Sequence, residues 1–133
     1  MKWNTLQRKK HISKKGWLSE LVSMDYDDEP FECIHTYVVS FKPKTTRAMH
    51  YHEEKKEWIA LGSGKVKVVL EDIYSKEKET LILSENDEDQ KIIYLPPKIA
   101  HVIKNIGDEK ACVIAFSQTP EIPGDTIEYE MDV

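Results

Sequence analysis

The stretch Arg47–Trp58, RAMHYHEEKKEW, sets His50 and His52 two residues apart and Glu57 five residues after the second imidazole. On a β-strand, residues two apart face the same side, so both imidazoles are presented together while Tyr51 points away. A short turn through EEKK then returns Glu57 to the same place on the next strand. A helix is the competing reading, because the Glu/Lys content of HYHEEKKEWIALG favours one. Gly62 and Gly64 end that run and its tail is strand-like, so the strand reading is preferred.

Working outward, short β-prone runs alternate with polar turns. CIHTYVVSF (33–41) is rich in β-branched and aromatic residues and stops at Lys42-Pro43. EWIALGSGKVKVVLEDI (57–73) breaks at Gly62-Ser63-Gly64, read as a hairpin turn, and resumes with Lys and Val alternating. TLILS (80–84), KIIYLP (91–96), HVIKNI (101–106), ACVIAFS (111–117) and TIEYEMDV (126–133) complete the set. Many short strands with regular turn signals predict an all-β fold, antiparallel, closed as a barrel or sandwich. The expected organisation is one domain over 1–133, with 1–32 an N-terminal strand and arm region and 33–133 the barrel.

At 133 residues, 40% hydrophobic and 32% charged, the chain is long and apolar enough for a single core. A net charge of −5 with both signs mixed argues against nucleic acid as a partner. The basic opening QRKKHISKK is a local exception, read as a solvated segment. Cys33 and Cys112 lie in apolar runs without a CxxC partner and are expected as small buried hydrophobes in a reducing compartment. The N-terminus has no apolar signal core, and no run approaches the roughly 18 apolar residues of a membrane span. The expected location is cytoplasmic, with no membrane partner.

Two histidines and a carboxylate suit zinc, iron, nickel or manganese and leave positions open for water or substrate. A fourth donor lies in YLPPKIAHVIKN, where Pro96 precedes His101 by five residues and Asn105 follows four later. His11 and His35 have no comparable partners and are not read as ligands.

These two patterns together resemble the cupin family. Its first motif, H-x-H, three or four residues, E, six residues, G, is matched by His50, His52, Glu57 and Gly64. Its second, P-x-G-x-x-H-x-x-x-N, is matched by Pro96, His101 and Asn105, with Lys98 in place of the glycine. The resemblance implies a jelly-roll barrel holding a divalent metal, zinc first, through His50, His52, Glu57 and His101. YLPPKIAH and RAMHYH further resemble segments of the dTDP-4-dehydrorhamnose 3,5-epimerase family, the second its R-G-L-H-[FY]-Q. KKGWLSEL (14–21) resembles that family's D-x-R-G-x-[FL]-x-E, with Lys15 for arginine. PGDTIEYEMDV resembles the ending of cupins from polysaccharide-biosynthesis clusters, including epimerase domains of capsular-polysaccharide reductases.

That likeness implies an isomerase or epimerase acting on a 4-keto nucleotide sugar by metal-assisted enolisation, in a homodimer with exchanged N-terminal strands. Two departures bear on the mechanism. The R-G-L-H histidine is a catalytic base in the metal-free epimerases, yet His50 stands here among candidate ligands, and a metal-bound imidazole has no lone pair for a proton. The epimerases' tyrosine acid would fall in CVIAFSQT, which has no tyrosine. His35 and Tyr37 on one strand face are the expected catalytic helpers. Arg47 is the expected phosphate or sugar ligand, with Lys15 and Glu20 as further substrate contacts. The alternatives are a sugar-phosphate isomerase, an iron dioxygenase, and a non-catalytic sugar- or ligand-binding cupin.

Overall fold

The computed structural model describes residues 2–23 and 31–133. Twelve strands are present and no helix among these residues: β1 (Asn4–Arg8), β2 (His11–Ser13), β3 (Gly16–Leu18), β4 (His35–Phe41), β5 (Thr46–His52), β6 (Glu57–Ser63), β7 (Lys65–Asp72), β8 (Lys78–Ser84), β9 (Gln90–Leu95), β10 (Ile99–Asn105), β11 (Ala111–Ser117) and β12 (Thr126–Glu128). HYHEEKKEW is therefore strand, turn and strand. Two five-stranded sheets, β1-β9-β6-β11-β4 and β12-β5-β10-β7-β8, face each other, and β2–β3 form a separate hairpin. Every pairing is antiparallel.

From β4 onward the chain changes sheet at almost every step, and only β7–β8 is a hairpin between consecutive strands. This is the jelly-roll arrangement expected from the motifs. The expected hairpin at Gly62-Ser63-Gly64 is instead a corner: β6 lies in one sheet and β7 in the other, with Gly64 alone between them. One residue is too short for a two-residue hairpin loop. It turns the chain across the barrel at φ +88, and a Cβ there would stand 2.7 Å from that of Ala111.

The core lies between the sheets, built from alternate residues of both: Phe41, Ile59, Leu61, Val66, Val68, Leu70, Ile93, Leu95, Ile99, Ile103 and Val113. The central strands are also covered outside. Phe31 stacks on Trp58 at 4.3 Å over β6, while Met131, Tyr129 and Tyr51 cover Ala100 and Val102 of β10. The 126–133 strand is consequently shorter than expected, since only Thr126–Glu128 pairs and the remainder packs across the sheet.

Two further expectations need correction. The basic opening is not simply solvated: β1 pairs with β9, Arg8 donates to the Leu21 carbonyl, and buried Lys10 donates to the Glu85 and Asp87 carbonyls. Cys33 and Cys112 are free thiols but only half-buried.

Candidate active site

Strand β5 carries the first part of the site, and it is not regular. Opposite β10 its register runs His101–His50 and then Val102–Ala48, so Met49 is an extra residue in a β-bulge. Ala48 and Met49 both adopt left-handed backbone, at φ 75 and 68. In a regular strand Arg47 and His50, three apart, would face opposite sides. The bulge resets the alternation, and both line the same cavity. His52 follows on the same face as His50, their rings 5.0 Å apart, while Tyr51 points outward against Tyr129.

From the neighbouring strand β10, His101 brings its ring to 4.8 Å from His50 and 5.7 Å from His52. Its Nδ1 lies 3.2 Å from the Ile99 carbonyl, which selects the Nδ1–H tautomer and leaves Nε2 with a lone pair. Lys98, which replaces the motif's glycine, takes the left-handed conformation that glycine favours, at φ 69. Its amide donates to the His52 carbonyl at 2.9 Å, so the turn before β10 is tied to the end of β5. Asn105 stands apart from this chemistry. It is fully buried and bridges the carbonyls of Phe41, Lys42 and Glu109, a structural role at the far end of β10.

Glu57 comes from the opposite sheet and is almost wholly enclosed. Its Oε1 accepts from His52 Nε2 at 3.0 Å and its Oε2 from the Tyr37 hydroxyl at 2.5 Å. The other nitrogen of His52, Nδ1, lies 3.2 Å from the Thr126 hydroxyl and 3.5 Å from an Asp125 carboxylate oxygen. Burial, then the charge on His52, holds His50 below the usual imidazole range; burial and the charge on His50 push His101 down to about 4. Burial alone would raise Glu57, but the His52 hydrogen bond, the charge on His101 and the Tyr37 hydrogen bond outweigh it and bring the group to about 2. Burial, and then the Glu57 carboxylate, raise Tyr37 so that it keeps its proton. His50 and His101 are therefore neutral, beside the Glu57 carboxylate.

Together His50, Glu57, His101 and Tyr37 occupy a cavity of about 220 Å³ whose other walls are mainly apolar, Val39, Phe41, Ile59, Ile103, Val113 and Ala115. Arg47 lines it from an exposed position. His35 lies on the same strand face as Tyr37, ring centroids 5.7 Å apart, without lining the cavity. Lys15 sits exposed in the β2–β3 turn, and Glu20 faces a separate surface groove with Gln7, Arg8, Lys9 and His11. Neither reaches this cavity within the chain.

Donor atoms of His50, His52 and His101 all lie within 4.8 Å of one another. Three imidazoles so placed fit a divalent cation in ligand type. His50 and His101 fit most simply. His52 would give up one of its two hydrogen bonds, and Glu57, whose oxygens already accept from His52 and Tyr37, would ligate through a second lone pair on one of them. Sequence reasoning missed Thr126 and Asp125, whose signal lay in PGDT, a turn followed by a strand. It also missed Lys55, a charged residue inside a charged turn that nothing local distinguishes.

A family profile described as "Polysaccharide biosynthesis C-terminal domain" matches residues 11–123. No curated protein matches the chain by sequence. Among solved structures, a dTDP sugar isomerase from Desulfovibrio desulfuricans G20 superposes with a TM-score of 0.87 at 17% identity, over 98% of this chain and 85% of the other. A sugar 3,4-ketoisomerase from Thermoanaerobacterium thermosaccharolyticum, solved in complex with TDP, gives 0.77 at 18% identity, over 94% and 86%. The rmlC epimerase of Mycobacterium tuberculosis gives 0.77 at 15%, over 93% and 66%. The jelly roll of this chain is thus the fold of these sugar isomerases and epimerases, and by its match from the first hairpin through β11 the chain belongs to the polysaccharide biosynthesis C-terminal domain family.

Proposed function

We propose that this chain is an isomerase or epimerase that moves a proton at a carbon beside the keto group of a 4-keto nucleotide sugar. One observation carries the reading: the neutral imidazoles of His50 and His101 and the Tyr37–Glu57 pair line one cavity whose other walls are mainly apolar. An apolar wall excludes water from an enolate, and neutral imidazoles near it can accept protons or bind a cation. Arg47, exposed at the same cavity, meets a phosphate or sugar oxygen with a planar guanidinium. Tyr37 keeps its proton, which it donates to Glu57, and its hydroxyl oxygen is left as an acceptor at the reacting end, with His35 behind it on the strand. The fold shared with dTDP-sugar isomerases and epimerases supports the substrate class.

A divalent ion, zinc first and iron, nickel or manganese after it, belongs to the proposal: His50, His52 and His101 would hold it, and bound there it would polarise the keto oxygen as a Lewis acid. A second reading follows from one specific feature. Both Glu57 oxygens are already bonded within the protein, whereas His50 is neutral, half-buried and open to the cavity. In a metal-free site, His50 itself takes the proton.

The proposal includes a homodimer, supported by Ile12, Trp17 and Leu18 standing exposed on the β2–β3 hairpin and Val38 on the edge strand β4. Unpaired Cys33 and Cys112 are in keeping with a cytoplasmic home.

The test is proton NMR of a TDP-4-keto-6-deoxy sugar in D₂O with the protein, before and after chelation, alongside metal content by mass spectrometry. Exchange at carbon 3 or 5 that vanishes on chelation and returns with one ion per chain supports the metal reading. Exchange that survives chelation but not His50→Asn supports the base reading. Tight binding without exchange in either state would replace the enzyme with a sugar-binding protein.

A further inference from the structure

The turn that joins β5 to β6, residues 53–56, consists of four charged residues, and only one of them is buried. Lys55 is 2% exposed, while Glu54 lies in solvent and Glu53 and Lys56 are half-exposed. Taking an ammonium out of water is costly unless anions meet it. Here Nζ lies 3.5 Å from Glu57 Oε2 and 3.4 Å from Glu121 Oε2, and 5.2 Å from the centre of the Tyr37 ring. Its direction is imposed by the chain just before β12. The Asp125 carboxylate accepts from the amides of Glu54 at 2.7 Å and Lys55 at 3.3 Å, and the Asp125 carbonyl accepts from the Glu53 amide at 3.0 Å. A turn pinned at three successive amides has little freedom to swing its lysine outward.

Lys55 does not line the cavity, whereas Glu57 and Tyr37 do. It therefore acts from behind the groups that face a substrate. A carboxylate held only by one imidazole and one phenol can rotate and exchange its two oxygens between them. A charged contact on one oxygen removes that freedom.

We propose that Lys55 is a positioning residue: its buried ammonium clamps the Oε2 side of Glu57 beside the Tyr37 hydroxyl, leaving Oε1 to fix the His52 ring. Glu57 is then a brace for Tyr37 and His52 and not a metal ligand. The kinetic part of this inference rests on the isomerase reading, and the spectroscopic part does not. A lysine serving only to balance charge in the fold would change stability and nothing else.

The experiment compares the full chain with Lys55→Met and Lys55→Arg after chelation. Ring ¹⁵N spectra at one pH should show His52 as a single Nε2–H tautomer in the parent protein, a mixture of tautomers in Lys55→Met, and the parent pattern in Lys55→Arg. With the keto-sugar substrate, kcat for proton exchange should fall about 100-fold in Lys55→Met with KM almost unchanged, the scale expected for a misplaced reacting group. Lys55→Arg should recover most of it. If Lys55→Met does not fold, Lys55→Gln carries the same readouts. A folded uncharged variant with a single parent tautomer overturns the clamp. If the parent protein exchanges no keto sugar at all, the isomerase reading falls while the spectra still decide on Lys55.

Discussion

Strand β10 has two neighbours that obey different rules. Toward β7 it pairs over seven consecutive residues without a break, Ile99–Asp72 through Asn105–Val66. Toward β5 the register slips after His101, and two consecutive non-glycine residues sit in left-handed backbone. The β7 side places Val66, Val68 and Leu70 in the core at 0% exposure. The β5 side places Arg47 and His50 on one cavity. Regular alternation is sufficient to build a core, but it separates residues three apart. Gathering them takes an irregular strand.

The sharpest way to test this division is to ask whether the two sides fail differently. On the β5 side, His50→Asn or His101→Ala should lower proton exchange into a 4-keto nucleotide sugar by about 10³-fold, the scale of losing a positioned base or its equivalent. Thermal stability should change little for His50→Asn, because that ring is only half-buried. On the β7 side, Leu70→Ala should cost about 3 kcal/mol by denaturant unfolding, because it empties a fully buried position. Leu70 does not line the cavity, so KM and kcat should stay close to the parent values. Loss of activity in Leu70→Ala without loss of stability would erase the distinction.

The same division explains what could be read from the sequence. Alternation in KVKVVLED and ACVIAFS was enough to place β7 and β11, because Val66, Val68 and Leu70 on one and Ala111, Val113 and Ala115 on the other are apolar and meet a core. The cluster was legible for a related reason: H-x-H on a strand fixes two imidazoles on one face, and P-x4-H marks a turn into a strand. What escaped depends on distant partners. Gly64 reads as part of a hairpin until the sheet that each flanking strand joins is known. Lys55 and Lys10 read as solvent-facing because their burial is permitted only by Glu57 and Glu121, or by the carbonyls of Glu85 and Asp87. The extra residue at Met49 has no local signature, since Ala-Met is an ordinary strand sequence held in an unusual conformation by its neighbours.

Acid should expose the cost of packing imidazoles on the β5 side. Burial and the neighbouring charge on His50 bring His101 down to about 4 in the folded protein, against about 6.5 when the chain is open. The unfolded chain therefore binds more protons between those values. Stability of the metal-free protein should fall as pH drops below about 6.5 and level off below about 4, a loss of roughly 3 kcal/mol from this group. Glu57, held near 2, adds a further loss only below the ordinary carboxylate range. Denaturant midpoints measured from pH 7 to 4 should show the slope, and His101→Gln should flatten it. Leu70→Ala should shift the whole curve downward and leave its slope unchanged.

The bulge itself provides the smallest and most specific test. A non-glycine residue in left-handed backbone costs about 1–2 kcal/mol, and Ala48 and Met49 both stand there. R-G-L-H, which RAMHYH resembles, has glycine at the position of Ala48. Ala48→Gly removes the Cβ conflict but gives the unfolded chain more freedom, which offsets part of the gain. The net expectation is about 1 kcal/mol of stabilisation, seen as a rise of roughly 3–5 °C in Tm. Arg47 and His50 should still share the cavity, so exchange activity should remain near the parent value. Deleting Met49 makes the opposite change, because a one-residue shift returns Arg47 to the outer face of β5. If Ala48→Gly lowers Tm instead, the left-handed pair is not strained, and the contrast between β5 and β7 is one of register alone.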